Sequence, residues 1–183
     1  MTCQGKRAEK VREALGLDDA GSHEANRDGR MSSRKVFVVY GHDLDARTQL
    51  EAMLRRWGLE PLIMDQLASE GATVIEKLEK YASDDVSFAV VLATPDDEGY
   101  PKGKPNEARP RARQNVVLEL GMLLSKLGRE RVAILLRHQT AIERPSDIHG
   151  LVYIPFEDSV EDARIQLAKE FAKRGINIGV ESL

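Results

Sequence analysis

One glutamate stands alone within an apolar stretch of the sequence. Glu119 is the only polar side chain between Val116 and Leu124, a stretch whose apolar residues favour a helix. Burying a charge in such surroundings costs several kcal/mol unless the charge is paired or used for chemistry. Asn115 and Arg111 precede it at intervals of four residues, so a helix would place the three along one stripe. Two interpretations stay open: the stripe lines a cleft, or Glu119 pairs with a buried arginine for structure alone.

A positively charged loop leads into this predicted helix, which spans 111–127. After Thr94 the loop carries three consecutive acidic residues at 96–98 and then mostly basic ones, which are Lys102, Lys104, Arg109, Arg111 and Arg113. Basic side chains beside a helix N-terminus can hold a phosphate, because the free N–H groups and the helix dipole add to their charge. A solvated surface loop accounts for the same composition. Phosphate contact by at least one of these arginines is therefore one of two interpretations.

The end of the first predicted strand supplies the other candidate ligand segment. Ligands of open α/β sheets bind beyond the carboxyl ends of the strands, near the switch between strands 1 and 3. Gly41, His42 and Asp43 follow strand 1, and Thr94 follows strand 3. Glycine lets a backbone approach a ligand closely. The alternative interpretation of this segment is a turn in which Asp43 or Asp45 caps the next helix.

Alternating strand and helix patterns position these residues. A continuous β-branched and aromatic run at 36–40 and an apolar run at 86–93 predict strands buried on both faces of a parallel sheet. Further strands are predicted at 60–64, 131–136 and 151–154. Helical spacing predicts helices at 44–57 and 111–127. Another helix begins at the capping box at 73–76, and a last helix is capped by Asp158 or Ser159 and runs to Lys173. This order predicts an α/β fold, a flavodoxin-like five-stranded parallel sheet of order 2-1-3-4-5 with helices on both faces.

The first 34 residues differ in composition from the rest. Their large aliphatic residues are few, and the stretch from 18 to 30 is polar and contains two glycines. We interpret residues 1–34 as a tail or short helix plus a linker, residues 35–175 as one globular domain, and residues 176–183 as a C-terminal tail.

Composition excludes several classes of function. With 27 Lys and Arg against 30 Asp and Glu, the net charge of −3 offers no basic field for nucleic acid. Aromatic residues make up 5%, too few for a base-stacking platform. His138 and His149 have no cysteine or carboxylate at metal-ligand spacing, so no metal site is expected. A single cysteine, Cys3, and the lack of a run long enough to span a membrane predict a cytoplasmic protein without membrane contact.

Five motifs occur in the order of a known family. They are VFVVYGHD at 36–43, TVIEKLE at 73–79, FAVVLATPDD at 88–97, RARQNVVLELG at 111–121 and PSDIHGLVYI at 145–154. Together they resemble the bacterial TIR-like (Toll/interleukin-1 receptor-like) family over residues 35–175. The segment 65–72, in the position of the loop that TIR domains use for assembly, departs from the family pattern. The resemblance therefore leaves the mode of assembly open.

The resemblance implies a flavodoxin-like fold and an enzyme. Catalytic members of the family cleave the nicotinamide–ribose bond of NAD⁺, and they act as anti-phage effectors together with sensors of cyclic nucleotides. The family's catalytic glutamate falls at Glu119. NAD⁺ is then the substrate, no further cofactor is implied, and the expected partners are other TIR domains and a separate cyclic-nucleotide sensor. The substrate-binding residues that we expect are Gly41, His42, Asp43, Thr94, Arg113 and Asn115.

One carboxylate is chemically sufficient for this reaction. The leaving group is a pyridinium that departs neutral, so no general acid has to protonate it. The carboxylate stabilises the oxocarbenium-like ribose, and the products are nicotinamide and ADP-ribose or a cyclic variant. Two other functions stay open: an N-glycosidase that resembles nucleoside 2-deoxyribosyltransferases, and a TIR-like interaction module without catalytic activity.

Overall fold

A computed structural model describes residues 33–63, 76, 80, 86–137, 142–143 and 150–182. The strands are β1 (Lys35–Val39), β2 (Glu60–Ile63), β3 (Val86–Ala93), β4 (Asp97–Gly99), β5 (Arg109–Arg111), β6 (Val132–Arg137) and β7 (Val152–Phe156). The α-helices are α1 (Leu44–Arg56), α2 (Gln114–Leu127) and α3 (Arg164–Ala172). Short 3₁₀ turns lie at Pro105–Glu107, Arg129–Arg131, Val160–Ala163 and Val180–Ser182.

Several sequence predictions lie outside the described residues. They include residues 1–32 of the predicted tail, the segment 65–72, His138 and His149. Of the helix that the capping box opens, the described positions are Glu76 and Lys80, and both are helical and exposed.

The main sheet has the predicted topology. Its order is β2-β1-β3-β6-β7 and every neighbouring pair is parallel, which corresponds to 2-1-3-4-5 among its five strands. The flavodoxin-like α/β prediction is confirmed. The reason is visible in β3, whose eight residues are all buried because both faces of a central parallel strand are covered.

The strands send alternate side chains into two separate cores. Val36 and Val38 of β1 join a core with α1 and α3, in which Phe88 and Phe171 meet edge to face at 4.7 Å. Phe37 and its neighbours of opposite parity join a second core beneath α2. This period of two residues follows from the pleat of a strand. It anchors α2, the helix that carries Glu119, against the centre of the sheet.

The predicted loop 94–110 contains a hairpin, and this corrects the start of the next helix. Strands β4 and β5 pair antiparallel, with Asp97 opposite Arg111. Pro110 favours extended backbone before it and has no N–H for a helix, so the chain enters α2 only at Gln114. The prediction of a helix from 111 was wrong, and Arg111 is a strand residue that does not lie on the stripe of Glu119.

The other boundaries agree closely with the sequence. Ser159 caps the last helical segment through a capping box with Asp162, and α3 ends at Ala172, one residue before the predicted end. Pro155, expected to follow the fifth strand, lies within β7. A proline is tolerated there because β7 forms the edge of the described sheet. Among the described residues, no helix is both long enough and apolar enough to cross a lipid bilayer.

Candidate active site

Glu119 lies on the buried side of α2. It shares that side with Val116, Leu120, Leu123 and Leu127, and only 9% of its surface is exposed. Within the described ranges, its carboxylate takes part in no hydrogen bond or ion pair. Burial raises the pKa of Glu119 from 4.5 to about 7, and the nearby charge of Arg113 partly opposes that rise.

Two predicted neighbours remain close to Glu119 along the chain of α2. Asn115 is exposed and lies one helical turn before Glu119, so it shares the same flank of the helix. Arg113 is the N-cap residue, and no side chain caps the helix there. The first N–H groups of α2 therefore lack a side-chain acceptor among the described residues, and a cation stands beside them. We call Arg113, Asn115 and Glu119 the α2 site.

The carboxyl ends of β1 and β3 meet through Gly41, Thr94 and Asp96. Thr94 is 1% exposed, and its hydroxyl donates to Asp96 Oδ1 at 2.9 Å. Asp96 Oδ2 is buried, has no hydrogen-bond partner in the part of the chain that the structure describes, and lies where a Cβ on residue 41 would stand. Glycine at 41 thus makes room for a carboxylate of the protein itself. From the sequence, Asp96 was one of three consecutive acidic residues, and nothing there indicated this contact.

Asp43 uses both of its carboxylate oxygens inside the protein. Oδ1 accepts from the Ala46 N–H at 2.9 Å, which caps α1, and Oδ2 forms an ion pair with Arg137 Nη2 at 2.8 Å. The capping interpretation of Asp43 is the one that the structure shows. Arg137 ends β6 and its guanidinium stands 5.2 Å from the centre of the Phe156 ring. Nothing in the sequence singled out Arg137, because an arginine after an apolar strand is common.

The structure therefore separates the predicted site residues into two groups. Among the described residues, the polar side chains of the α2 site have no hydrogen-bond or ion-pair partner, whereas the residues at the strand ends contact one another. We call Gly41, Asp43, Thr94, Asp96 and Arg137 the strand-end cluster. His42 stands beside it and is exposed. In the described part of the chain, His, Cys, Asp and Glu side chains form no group of three or more that could hold a metal ion.

Several known proteins are similar to this chain in sequence. The E. coli (strain K12) protein named uncharacterized protein YuaY is 42% identical over 147 residues, which are 80% of this chain and 48% of YuaY. Protein tirC of Dictyostelium discoideum is 34% identical over 137 residues, or 70% of this chain and 67% of tirC. Pycsar effector protein BcPycTIR of Burkholderia cepacia is 33% identical over 87 residues, or 44% of this chain and 28% of the relative.

A family model matches the segment that holds both groups of residues. The chain spans about half the length of YuaY and about a quarter of BcPycTIR. The model for the TIR domain of CAP12/Pycsar effector proteins matches residues 35–158, from β1 to the segment just after β7. That range includes the α2 site and the strand-end cluster. The chain therefore belongs to the family of CAP12/Pycsar effector TIR domains.

Proposed function

We propose that this chain is an NAD⁺ glycohydrolase of an anti-phage effector, with Glu119 as its catalytic carboxylate. The observation that carries the proposal is a buried carboxylate on α2 that forms no hydrogen bond or ion pair within the described ranges. A structural glutamate in this position would be paired, because an unpaired buried charge is costly. Relatives named as Pycsar effector proteins support the effector role.

The role of Glu119 in this reaction is to stabilise a positive charge. As nicotinamide leaves, positive charge develops on the ribose, and a carboxylate close to the sugar lowers the energy of that transition state. The pyridinium takes the electrons of the C–N glycosidic bond and departs neutral, so no acid is needed. Water then attacks the anomeric carbon and gives ADP-ribose, or an adenine nitrogen attacks it and gives a cyclic product.

The rest of the α2 site fits the other parts of the dinucleotide. The Asn115 amide, one turn from Glu119, can hydrogen-bond a ribose hydroxyl. Arg113 and the uncapped N–H groups at the start of α2 suit a diphosphate, since cation and helix dipole act together. In the strand-end cluster the side chains of Asp43 and Thr94 are already engaged. We assign the cluster the role of supporting the site, and the exposed His42 beside the cluster the role of contacting the substrate.

The protonation state of Glu119 links activity to pH. The ionised carboxylate is the active form, and its pKa is about 7. We therefore expect kcat/KM to rise with pH between about pH 6 and pH 8, following the ionisation in the free enzyme. The positive pyridinium of bound NAD⁺ favours the ionised carboxylate and so lowers the pKa of Glu119 in the complex. We therefore expect kcat to decline at a lower pH than kcat/KM does.

The direct test replaces Glu119 by Gln, which keeps the size of the side chain and removes its charge. Nicotinamide release from NAD⁺ is followed by chromatography, with Glu60→Gln as the control. Glu60 is an exposed carboxylate at the amino end of β2, far from the carboxyl edge of the sheet. We expect E119Q to lose turnover and E60Q to keep it. Full turnover by E119Q would refute the assignment.

The same assay separates the alternative functions. An enzyme that resembles nucleoside 2-deoxyribosyltransferases would release base from a deoxynucleoside and leave NAD⁺ intact. A pure interaction module would consume neither substrate at any concentration. We also propose that activity depends on self-association, so that turnover rises more steeply than linearly with protein concentration. A linear rise would favour a site that is complete within one chain.

A further inference from the structure

A cavity lies between α2 and the sheet, on the side of the helix away from Glu119. Its volume is about 400 Å³, within the range of small-molecule sites. Its lining comes from α2, from β3, β6 and β7, and from the ends of β5 and of the 142–143 segment. The residues are Val91, Ala93, Arg111, Ala112, Val116, Val117, Leu120, Ile134, Leu136, Ile142, Glu143 and Tyr153.

This α2–sheet cavity is separate from the α2 site. Val116, Val117 and Leu120 line it, whereas Glu119 does not. At 100° per residue, Glu119 and Asn115 project from one flank of α2, and Val117 projects from the other. A molecule bound in the cavity therefore leaves the Glu119 carboxylate uncovered.

Two charged side chains stand at the polar end of the α2–sheet cavity. Arg111 and Glu143 line it, and both also line an adjacent polar cavity of about 380 Å³ beside the hairpin. Their backbones are joined, since the Glu143 N–H donates to the Pro110 carbonyl at 2.8 Å and residues 111 and 143 form a β-bridge. The two side chains nevertheless make no ion pair with each other or with other described residues.

The Arg111 side chain packs against the hairpin. A Cβ added to Gly99 would come within 2.9 Å of both Cδ and Nη1 of Arg111. The Arg111 Nε is buried and has no hydrogen-bond partner among the described residues. The two terminal nitrogens of a guanidinium carry four further N–H donors, and these are the donors that we assign to a ligand in the cavity.

We propose that the α2–sheet cavity binds a planar heterocycle that presents a hydrogen-bond acceptor beside a donor. The acceptor would take a hydrogen from Arg111, and the donor would give one to the Glu143 carboxylate. The positive charge of Arg111 and the negative charge of Glu143 cancel, so the cavity favours a neutral ring over a phosphate. The aliphatic side chains of α2 and β6 would contact the faces of the ring. Nucleobases and aromatic carboxamides share this chemistry, and both occur as parts of the substrate that we propose for the α2 site.

Binding to the whole chain tests the proposal with defined probes. Adenosine represents the nucleobases and nicotinamide the carboxamides, while 3-acetylpyridine keeps the ring and acceptor of nicotinamide but lacks its donor. None of the three carries a glycosidic bond to nicotinamide, so titration calorimetry measures binding without turnover. We expect adenosine or nicotinamide to bind, and 3-acetylpyridine to bind at least tenfold more weakly than nicotinamide if the carboxamide is the ligand.

Three variants locate the site. Arg111→Met and Glu143→Met are each expected to weaken binding about tenfold, the loss of one charged hydrogen bond. Lys102→Met removes an exposed cation of the same hairpin that lines neither cavity, and it should bind like the parent. Should R111M fail to unfold cooperatively, E143M carries the test, because the Glu143 side chain is exposed.

The outcomes distinguish this proposal from the proposed function. Unchanged affinity in both R111M and E143M, or no binding of adenosine and nicotinamide at millimolar concentration, overturns the cavity proposal and leaves the role of Glu119 untouched. Conversely, E119Q should bind these probes like the parent. A loss of probe binding in E119Q would place the probes in the α2 site instead.

Discussion

The α2 site and the strand-end cluster differ in how their polar groups are used. In the cluster, Asp43 caps α1 and forms an ion pair with Arg137, and the Thr94 hydroxyl donates to Asp96. Among the described residues, two buried atoms of the cluster, Asp96 Oδ2 and Arg137 Nε, have no hydrogen-bond partner. At the α2 site, Glu119 has no partner among the described residues and the helix start has no side-chain cap. Groups engaged within the fold stabilise it, and groups left unengaged are available to a substrate. The comparison predicts that changes at the α2 site alter activity and that changes in the cluster alter stability.

The largest effect should follow from Glu119→Gln. We expect kcat for nicotinamide release to fall about 1000-fold, a loss of the size seen when one electrostatic stabiliser of a transition state is removed. The urea midpoint should not fall, because no native hydrogen bond is lost. A fall in kcat of less than tenfold, with folding intact, would remove Glu119 from the chemistry.

The next effect should come from Asp43→Ala in the strand-end cluster. It removes the cap of α1 and leaves Arg137 without its ion pair, so we expect the free energy of unfolding to drop by about 2 kcal/mol. Asp45→Ala, at an exposed position of the same first turn, should cost less than about 0.5 kcal/mol. Equal losses in the two variants, measured by urea unfolding, would contradict the assigned role of Asp43.

A smaller effect is expected from Gly41→Ala. The added methyl meets Asp96 Oδ2, and moving that carboxylate also breaks the bond from Thr94, at a cost of about 1–2 kcal/mol. The double variant Gly41→Ala/Asp96→Ala should be less destabilised than the sum of the two single variants, because the collision is then absent. Additive losses would show that Gly41 and Asp96 do not interact.

The smallest effect concerns pH and stability. The pKa of Glu119 is about 7 in the fold against 4.5 for an unperturbed side chain, so between these values the folded state binds more protons than the unfolded state. The parent therefore loses stability as pH rises through that window, and E119Q does not. Each pH unit in that window costs the parent about 1.4 kcal/mol, so we expect E119Q to exceed the parent by about 1 kcal/mol at pH 5.5 and to match it at pH 4. A difference that is the same at both pH values would contradict a raised pKa.

Much of the fold could be predicted from the sequence because its signals are local. All five strands of the main sheet were predicted, the central two from continuous apolar runs, and the alternation of strand and helix predicted their order. The hairpin of residues 97–111 was missed, since its strands are only three residues long and polar. The helical spacing of the sequence predicted that Arg111 begins the helix. In the structure Arg111 pairs with Asp97 and follows Pro110, so it lies in a strand.

The candidate site, like the fold, has features that the sequence determines and features that depend on the tertiary structure. The sequence by itself determined that Glu119 would be a lone carboxylate on the buried side of a helix, because a period of 3.6 residues and an apolar run decide which side faces the core. Only the tertiary structure decided which polar groups have partners. Asp43 follows β1 and meets Arg137 at the end of β6, two strands away in the sheet, and Gly41 meets Asp96 beside the neighbouring β3. Such contacts depend on the register of the strands and on the path of the loops, which no local pattern encodes.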